Sequence, residues 1–231
     1  MKINMNKINE SFEKIVENYD VVLLDGSITH KKFSPYKKIH ESFLKEFGIK
    51  INTWINIRDD VKHVQEITEA INRYPQIQTL ENVIKELTRG LSNLGGIYGK
   101  HKNGNLKNYI AALKGFKNKL SSRIIKFEGE EEKNFKDLEK RYLYFKKIYK
   151  LSPTDFELLI TSVNSAFYKG DTAIFTNDCE LLEATIELKD MIFLGGETLR
   201  YKLDAYTNLY REEFYRYEPF VRIKIKEESG Y

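Results

Sequence analysis

Residues 21–24 read Val-Val-Leu-Leu and stop at Asp25-Gly26. A run this short, rich in β-branched residues and apolar at every position, has no polar side to offer water. As a strand it must be covered on both faces, which is the environment of a parallel sheet packed between helices.

The rest of the chain alternates in keeping with that requirement. Apolar spacing predicts a helix over roughly 5–18, with Ile8, Phe12, Ile15 and Val16 on one face. Pro35 opens a helix to about Phe47, with Ile39, Phe43 and Leu44 inward and Gly48 as its stop. Residues 49–57 alternate as a strand, and Asp59–Asn72 carries a helical stripe of Val61, Val64, Ile67 and Ile71. Residues 79–94 form an amphipathic helix closed by Gly95-Gly96, followed by a polar loop from Gly99 to Asn105. Two further apolar series, Ile110 to Phe127 and Phe135 to Tyr149, repeat at intervals of three and four and predict a helical hairpin. Ser152-Pro153-Thr154-Asp155 starts a helix to about Tyr168, with Ser152 as cap and Pro153 in the first turn. A strand at 173–175, a helix from Asp178 to about Leu188, a strand at 191–194, a tyrosine-rich helix over 197–217 and an edge strand at 220–226 complete the series. The expected fold is α/β, a mostly parallel central sheet with helices on both faces. Residues 1–74 and 151–231 build its core, and 75–150 is a helical insertion within the same domain.

Composition narrows the chemistry. The chain has 231 residues, 41% of them hydrophobic, and its 14 Phe and 15 Tyr can fill a sizeable core. A single cysteine, Cys179, excludes an internal disulfide framework and a cysteine zinc site, and suits a reducing compartment. The four histidines (His30, His40, His63 and His101) lack ligand spacing, which argues against a zinc hydrolase. The first twenty residues lack the continuous apolar stretch of a signal peptide. No run approaches the roughly 20 apolar residues that span a bilayer. The expectation is a soluble cytoplasmic protein with no membrane partner.

In a parallel sheet, ligands gather at the carboxyl ends of the strands. Asp25 directly follows the first strand, and Asp178 follows the strand at 173–175 within Thr176-Asn177-Asp178. Asp155, in the first turn of the preceding helix, can point to the same end, and a fourth carboxylate can come from the helix at 59–72. Each has an ordinary structural reading: Asp25-Gly26 as a turn, Asp155 as the partner of Ser152 in a capping box, Asp178 as an acid at a helix start. Their conjunction carries the functional reading. Clustered carboxylates repel one another near neutral pH, and a hard divalent ion removes the conflict. Oxygen ligands without His or Cys favour Mg²⁺ or Mn²⁺.

The stretches VVLLDGS (21–27), HVQEI (63–67) and the block from Asp155-Phe-Glu-Leu-Leu-Ile160 through Ala166 to Thr176-Asn-Asp-Cys-Glu-Leu181 resemble the PIN-domain family. The resemblance covers residues 19–74 and 151–195. It implies a metal-dependent ribonuclease that cuts single-stranded RNA and leaves a 5′-phosphate. In that reading Asp25, Glu66, Asp155 and Asp178 are the catalytic and metal-holding acids, and Glu180 is a peripheral fifth. Ser27, Thr176 and Asn177 support the site, and Asp59, Asp60 and Glu69 are rivals to Glu66. The stretch at 75–150 lies where compact toxin-type PIN domains have one or two small helices, so it is expected to help select the substrate.

Charge is segregated. Between Lys100 and Lys150 there are 15 Lys and Arg against 6 Asp and Glu, whereas the remainder has 23 against 28. Lys107, Lys114, Lys117, Arg123 and Lys126 are the expected contacts to backbone phosphates of single-stranded or structured RNA. Tyr109 and Phe116 either stack on unpaired bases or face the core, and the tyrosines from Tyr201 to Tyr217 read as packing residues. A second copy of the chain or an inhibitory protein is a possible further partner. The alternatives are an inactive PIN-like scaffold, a flap-type nuclease acting on DNA, and a phosphatase of the haloacid-dehalogenase type. The last needs a second Asp where Ser27 stands.

Overall fold

The computed structural model describes residues 4–8, 11–29, 51–102, 104–207 and 214–218. The helix expected from Pro35 to Phe47 and the strand expected over 220–226 lie outside the described residues. Six strands form one sheet: β1 (Asn4–Ile8), β2 (Val21–Leu24), β3 (Ile77–Gln78), β4 (Thr172–Phe175), β5 (Leu203–Thr207) and β6 (Phe214–Glu218), in the order β1-β6-β5-β4-β2-β3. The four strands β3, β2, β4 and β5 run parallel. At the other edge β6 runs antiparallel to β5 and β1 antiparallel to β6. All four residues of β2 and of β4 are buried, as apolar runs without a polar face require.

The helices are α1 (Phe12–Val16), α2 (Ile51–Arg73), α3 (Glu81–His101), α4 (Gly104–Leu120), α5 (Glu130–Arg141), α6 (Leu143–Ile148), α7 (Pro153–Tyr168) and α8 (Cys179–Leu194), with a 3₁₀ turn at Gly26–Thr29. None of the described helices is long and apolar enough to cross a membrane. The start of α7 follows its sequence closely. The Ser152 hydroxyl accepts from the Asp155 N–H at 3.1 Å, the Asp155 carboxylate accepts from the Ser152 N–H at 3.3 Å, and Pro153 occupies the first turn.

Several expectations are corrected. Residues 5–8 are strand rather than helix, paired to β6, and among the described residues of this segment 12–16 are helical, capped by Ser11. The segment 51–57 belongs to α2 instead of a strand, because its apolar residues satisfy helical spacing as well as alternation. The helix α3 runs through Gly95, Gly96 and Gly99. The first two are exposed, while Leu94, Ile97 and Tyr98 continue its inward stripe, so packing outweighs the glycine propensity cost. Met191–Leu194 is the last turn of α8 rather than a strand, with Ile192 buried and Phe193 and Leu194 exposed. The tyrosine-rich segment is β5 and β6 rather than a helix.

The expected helical hairpin is not formed as a pair. α4 lies against α2 and α3, whereas α5 and α6 lie against α7 and α5 ends at Tyr142. Leu106, Tyr109, Leu113 and Phe116 of α4 belong to the same core cluster as β2 and β4. Tyr109 and Phe116 are fully buried, so they pack rather than stack on bases.

Chain direction across the sheet reverses at one place. From β2 the chain crosses through α2 to β3 on one side, whereas β4 lies on the other side of β2 and its crossover α8 continues outward to β5. The carboxyl ends of β2 and β4 therefore flank a topological switch point, where a crevice opens in folds of this kind.

Candidate active site

Asp25 follows β2 and Thr176 follows β4, in register. The ladder continues past both strands: Asp25 N–H donates to the Phe175 carbonyl and Thr176 N–H to the Tyr206 carbonyl, each at 3.0 Å. Asp25 is 5% exposed. Its Oδ2 accepts from the Thr176 hydroxyl at 2.7 Å and from the Ser27 hydroxyl. Asn177 locks the two loops together: its N–H donates to Ser27 Oγ at 2.8 Å and its side-chain amide to the Ser27 carbonyl at 3.1 Å. Thr207, at the end of β5, donates to Asn177 Oδ1 at 2.8 Å. Three parallel strand ends thus hold one carboxylate, and the sequence motif Thr176-Asn177-Asp178 is the centre of that clamp.

Asp178 caps α8, accepting from the Leu181 N–H at 2.9 Å, while its own N–H donates to Thr176 Oγ1 at 3.0 Å. Burial raises the pKa of Asp178 and the Leu181 N–H opposes this. The charges of Glu180 and Asp25 raise it further. For Asp155, burial and then the Asp25 charge push the pKa up to about 7, against the Ser152 hydrogen bond, with Asp178 and Glu86 adding to the rise. The charges of Asp25, Asp155 and Asp178 therefore reach one another at the rim. Glu180, exposed in the first turn of α8, is the flanking acid. Neighbouring Cys179 has its thiol pKa raised by burial and by Glu180, Asp178 and Glu183, which suppresses the thiolate and a nucleophilic role.

Glu66 does not join them. It lies on the solvent side of α2, 3.7 Å from Lys62, and Glu69 pairs with Arg73 at 3.5 Å. Among the described side chains a further acid in electrostatic reach of Asp155 is Glu86, on α3; the side chains of Asp59 and Asp60 lie outside the described residues. Its Oε1 accepts from the Thr154 hydroxyl at 2.5 Å, and one turn earlier Asn82 donates to Glu157 at 2.5 Å, so α3 is stapled to the first turn of α7. Gly26 faces α3, and a Cβ there would meet the Leu87 side chain at 3.4 Å, an ordinary packing contact. The signal for Glu86 was present as an acid in the second turn of a helix that follows a strand. It was hidden because β3 is only two residues long.

No family model, curated protein or solved structure matches this chain. The PIN-like reading rests on the residues and their arrangement alone.

The carboxylates are coupled without being closed around a common point. Among the described residues, no three Asp, Glu, His or Cys side chains stand close enough to hold a metal ion. The geometry explains this: Asp155 is turned back on Ser152 and Asp178 on Leu181, each serving its own helix start. The donor chemistry nevertheless suits a hard cation, since every group is a carboxylate and the burial of Asp25 and partial burial of Asp155 and Asp178 leave their charges weakly screened, whereas Glu86 and Glu180 are exposed. Asp25 uses Oδ2 for both of its side-chain hydrogen bonds, and Oδ1 meets no described donor.

The basic residues divide. Lys107 and Lys114 are exposed on α4 and Lys117 is half-buried there, while Arg123 and Lys126 lie beyond its end.

Proposed function

We propose that the chain is a metal-dependent nuclease of the PIN type that hydrolyses phosphodiester bonds of single-stranded RNA at the carboxyl rim of the sheet. What supports this reading is that Asp25, Glu86, Asp155 and Asp178, from four separate parts of the chain, lie within electrostatic reach of one another, with Asp155 pushed up to about 7 by burial and by the charges of the other three. Perturbed carboxylates gathered at a switch point are a mark of a working site.

Asp25, Glu86, Asp155 and Asp178 would hold Mg²⁺ or Mn²⁺, with Glu180 at the periphery. The bound ion would supply a more acidic water and stabilise charge on the phosphoryl oxygens. Thr176 and Ser27 fix one oxygen of Asp25, so the carboxylate is aimed before any ligand arrives. With its pKa near 7 Asp155 is partly protonated at neutrality, and a bound cation would favour its ionised form. Lys107 and Lys114 present charge to backbone phosphates without reading sequence.

The inactive scaffold remains the second reading, and the spacing of the acids is what favours it. One experiment separates the two: labelled single-stranded RNA and DNA incubated with the purified chain in Mn²⁺, Mg²⁺ or EDTA. The nuclease reading expects RNA cleavage that requires the divalent ion. Binding without cleavage in any metal would leave the scaffold.

A further inference from the structure

Along the β3 edge of the sheet a concave feature gathers positive charge. A cleft of about 260 Å³ is lined by Pro75, Gln78, Ser122, Arg123, Lys126 and Lys169, among others. Pro75 and Lys169 stand before β3 and β4, whereas residues 123–125 run beside Thr79, just past β3, so the cleft lies along the β3 edge of the sheet. The cleft is smaller than the roughly 300–1,000 Å³ of pockets that enclose drug-sized molecules, and its size suits a single anionic group with its immediate attachment.

The cations come from two places in the chain and are held there. The segment carrying Arg123 is fastened to the sheet edge: the Thr79 N–H donates to the Arg123 carbonyl at 3.0 Å and the Ile125 N–H to the Thr79 carbonyl at 2.9 Å. The guanidinium donates through one nitrogen to the Ile71 carbonyl at 3.4 Å, which orients the fork and leaves further N–H donors for an anion. Lys169 stands 2.9 Å from Glu131 and 5.3 Å over the Phe127 ring. Arg123, Lys126 and Lys169 line the cleft, and of these Lys169 is paired with Glu131. Positive charge near the ends of α2 and α7 favours their dipoles, which accounts for Arg123 and Lys169. It does not account for Lys126, or for a polar hollow between the three.

We infer that this cleft is a phosphate-binding site, separate from the acidic rim, which takes the phosphate of a nucleic-acid backbone or of a free nucleotide. A guanidinium fork with two ammonium groups matches phosphate better than a lone carboxylate, because several oxygens accept charge-assisted hydrogen bonds at once. The acids take no part, so this site and the proposed cleavage can fail independently.

The test uses the full chain in EDTA, with backbone amide resonances of Gln78, Arg123 and Lys126 followed as inorganic phosphate, a nucleoside 5′-monophosphate and a short single-stranded RNA are added. All three should move those resonances. Tighter binding of the RNA identifies a backbone phosphate as the natural source, and tighter binding of the mononucleotide identifies a free nucleotide. Lys126 is exposed. Lys126→Glu should weaken each of the three about tenfold, the loss of one charge-assisted contact, with no change in melting temperature. Unmoved resonances with all three ligands, or wild-type affinity in Lys126→Glu, would overturn the site.

Discussion

Asp155→Asn is expected to raise the melting temperature at pH 8 while reducing RNA cleavage at least about a hundredfold. The two effects have one cause. The Asp155 pKa lies near 7 in the folded chain and near its ordinary value of 3.8 when unfolded. Between those limits the folded state holds the extra proton, so this group's contribution is at its most favourable below about pH 4 and is lost as pH rises to about 7. At pH 8 the folded chain carries a buried charge beside Asp25, and Asn removes it. Asn can still accept the Ser152 N–H bond, so the capping box survives. Allowing for water at a half-buried carboxyl, the gain is about 2 kcal/mol. That corresponds to roughly 4–8 °C for a chain of this size. Melting curves from pH 5 to 8 without divalent ions should show the wild type losing stability with rising pH relative to the variant. A variant no more stable than wild type at pH 8, or one that cleaves normally, contradicts the shared-charge account of the rim.

Glu86→Gln and Glu66→Gln should behave oppositely. Glu86 meets Thr154 and reaches Asp155 electrostatically, so loss of its charge should cut the cleavage rate about ten- to a hundredfold, or 1.4–3 kcal/mol of barrier. Gln preserves an acceptor for Thr154, which keeps α3 attached to α7. Glu66 makes only a solvent-exposed pair with Lys62, worth about 0.3–0.5 kcal/mol to α2, and its loss should leave the rate within about twofold. Rates measured side by side under single-turnover conditions decide between them. The reverse ranking would restore the sequence-based choice of Glu66.

The parts of the fold legible in the sequence are those whose signal is local. β2 is apolar at every position and β4 at all but Thr172, and Ser152-Pro153-Thr154-Asp155 carries cap, proline and box together. The errors fall where local signals are degenerate. Residues 51–57 fit both periods, and 191–194 are apolar yet end a helix with Phe193 and Leu194 facing water. β5 was hidden because it buries Asp204 and Tyr206, which only tertiary partners make tolerable. The Tyr19 hydroxyl lies 2.5 Å from Asp204 and 2.6 Å from that of Tyr206, and the Lys202 ammonium is 2.9 Å from Asp204. Burial alone would raise the Asp204 pKa, yet the hydrogen bonds from Tyr19 and Lys202 hold it below the ordinary value.

The same distinction runs through the candidate site. Asp25, Asp178 and the Thr176 motif sit at strand ends, so recognising the strands located them. Asp155 was located by its cap. Glu86, Thr207 and Lys169 were missed because each acts through an element whose neighbours in space are far away in sequence: α3 against α7, β5 against the end of β4, and the end of α7 beside the loop that follows α4.

The central claim is that the rim carboxylates share a divalent cation, and a Mn²⁺ titration tests it most directly. Calorimetry at pH 8 should give saturable Mn²⁺ binding to the wild-type chain, and Asp25→Asn should lose it while retaining its fold. An absence of Mn²⁺ binding to the wild type, or equal binding by Asp25→Asn, would contradict the account.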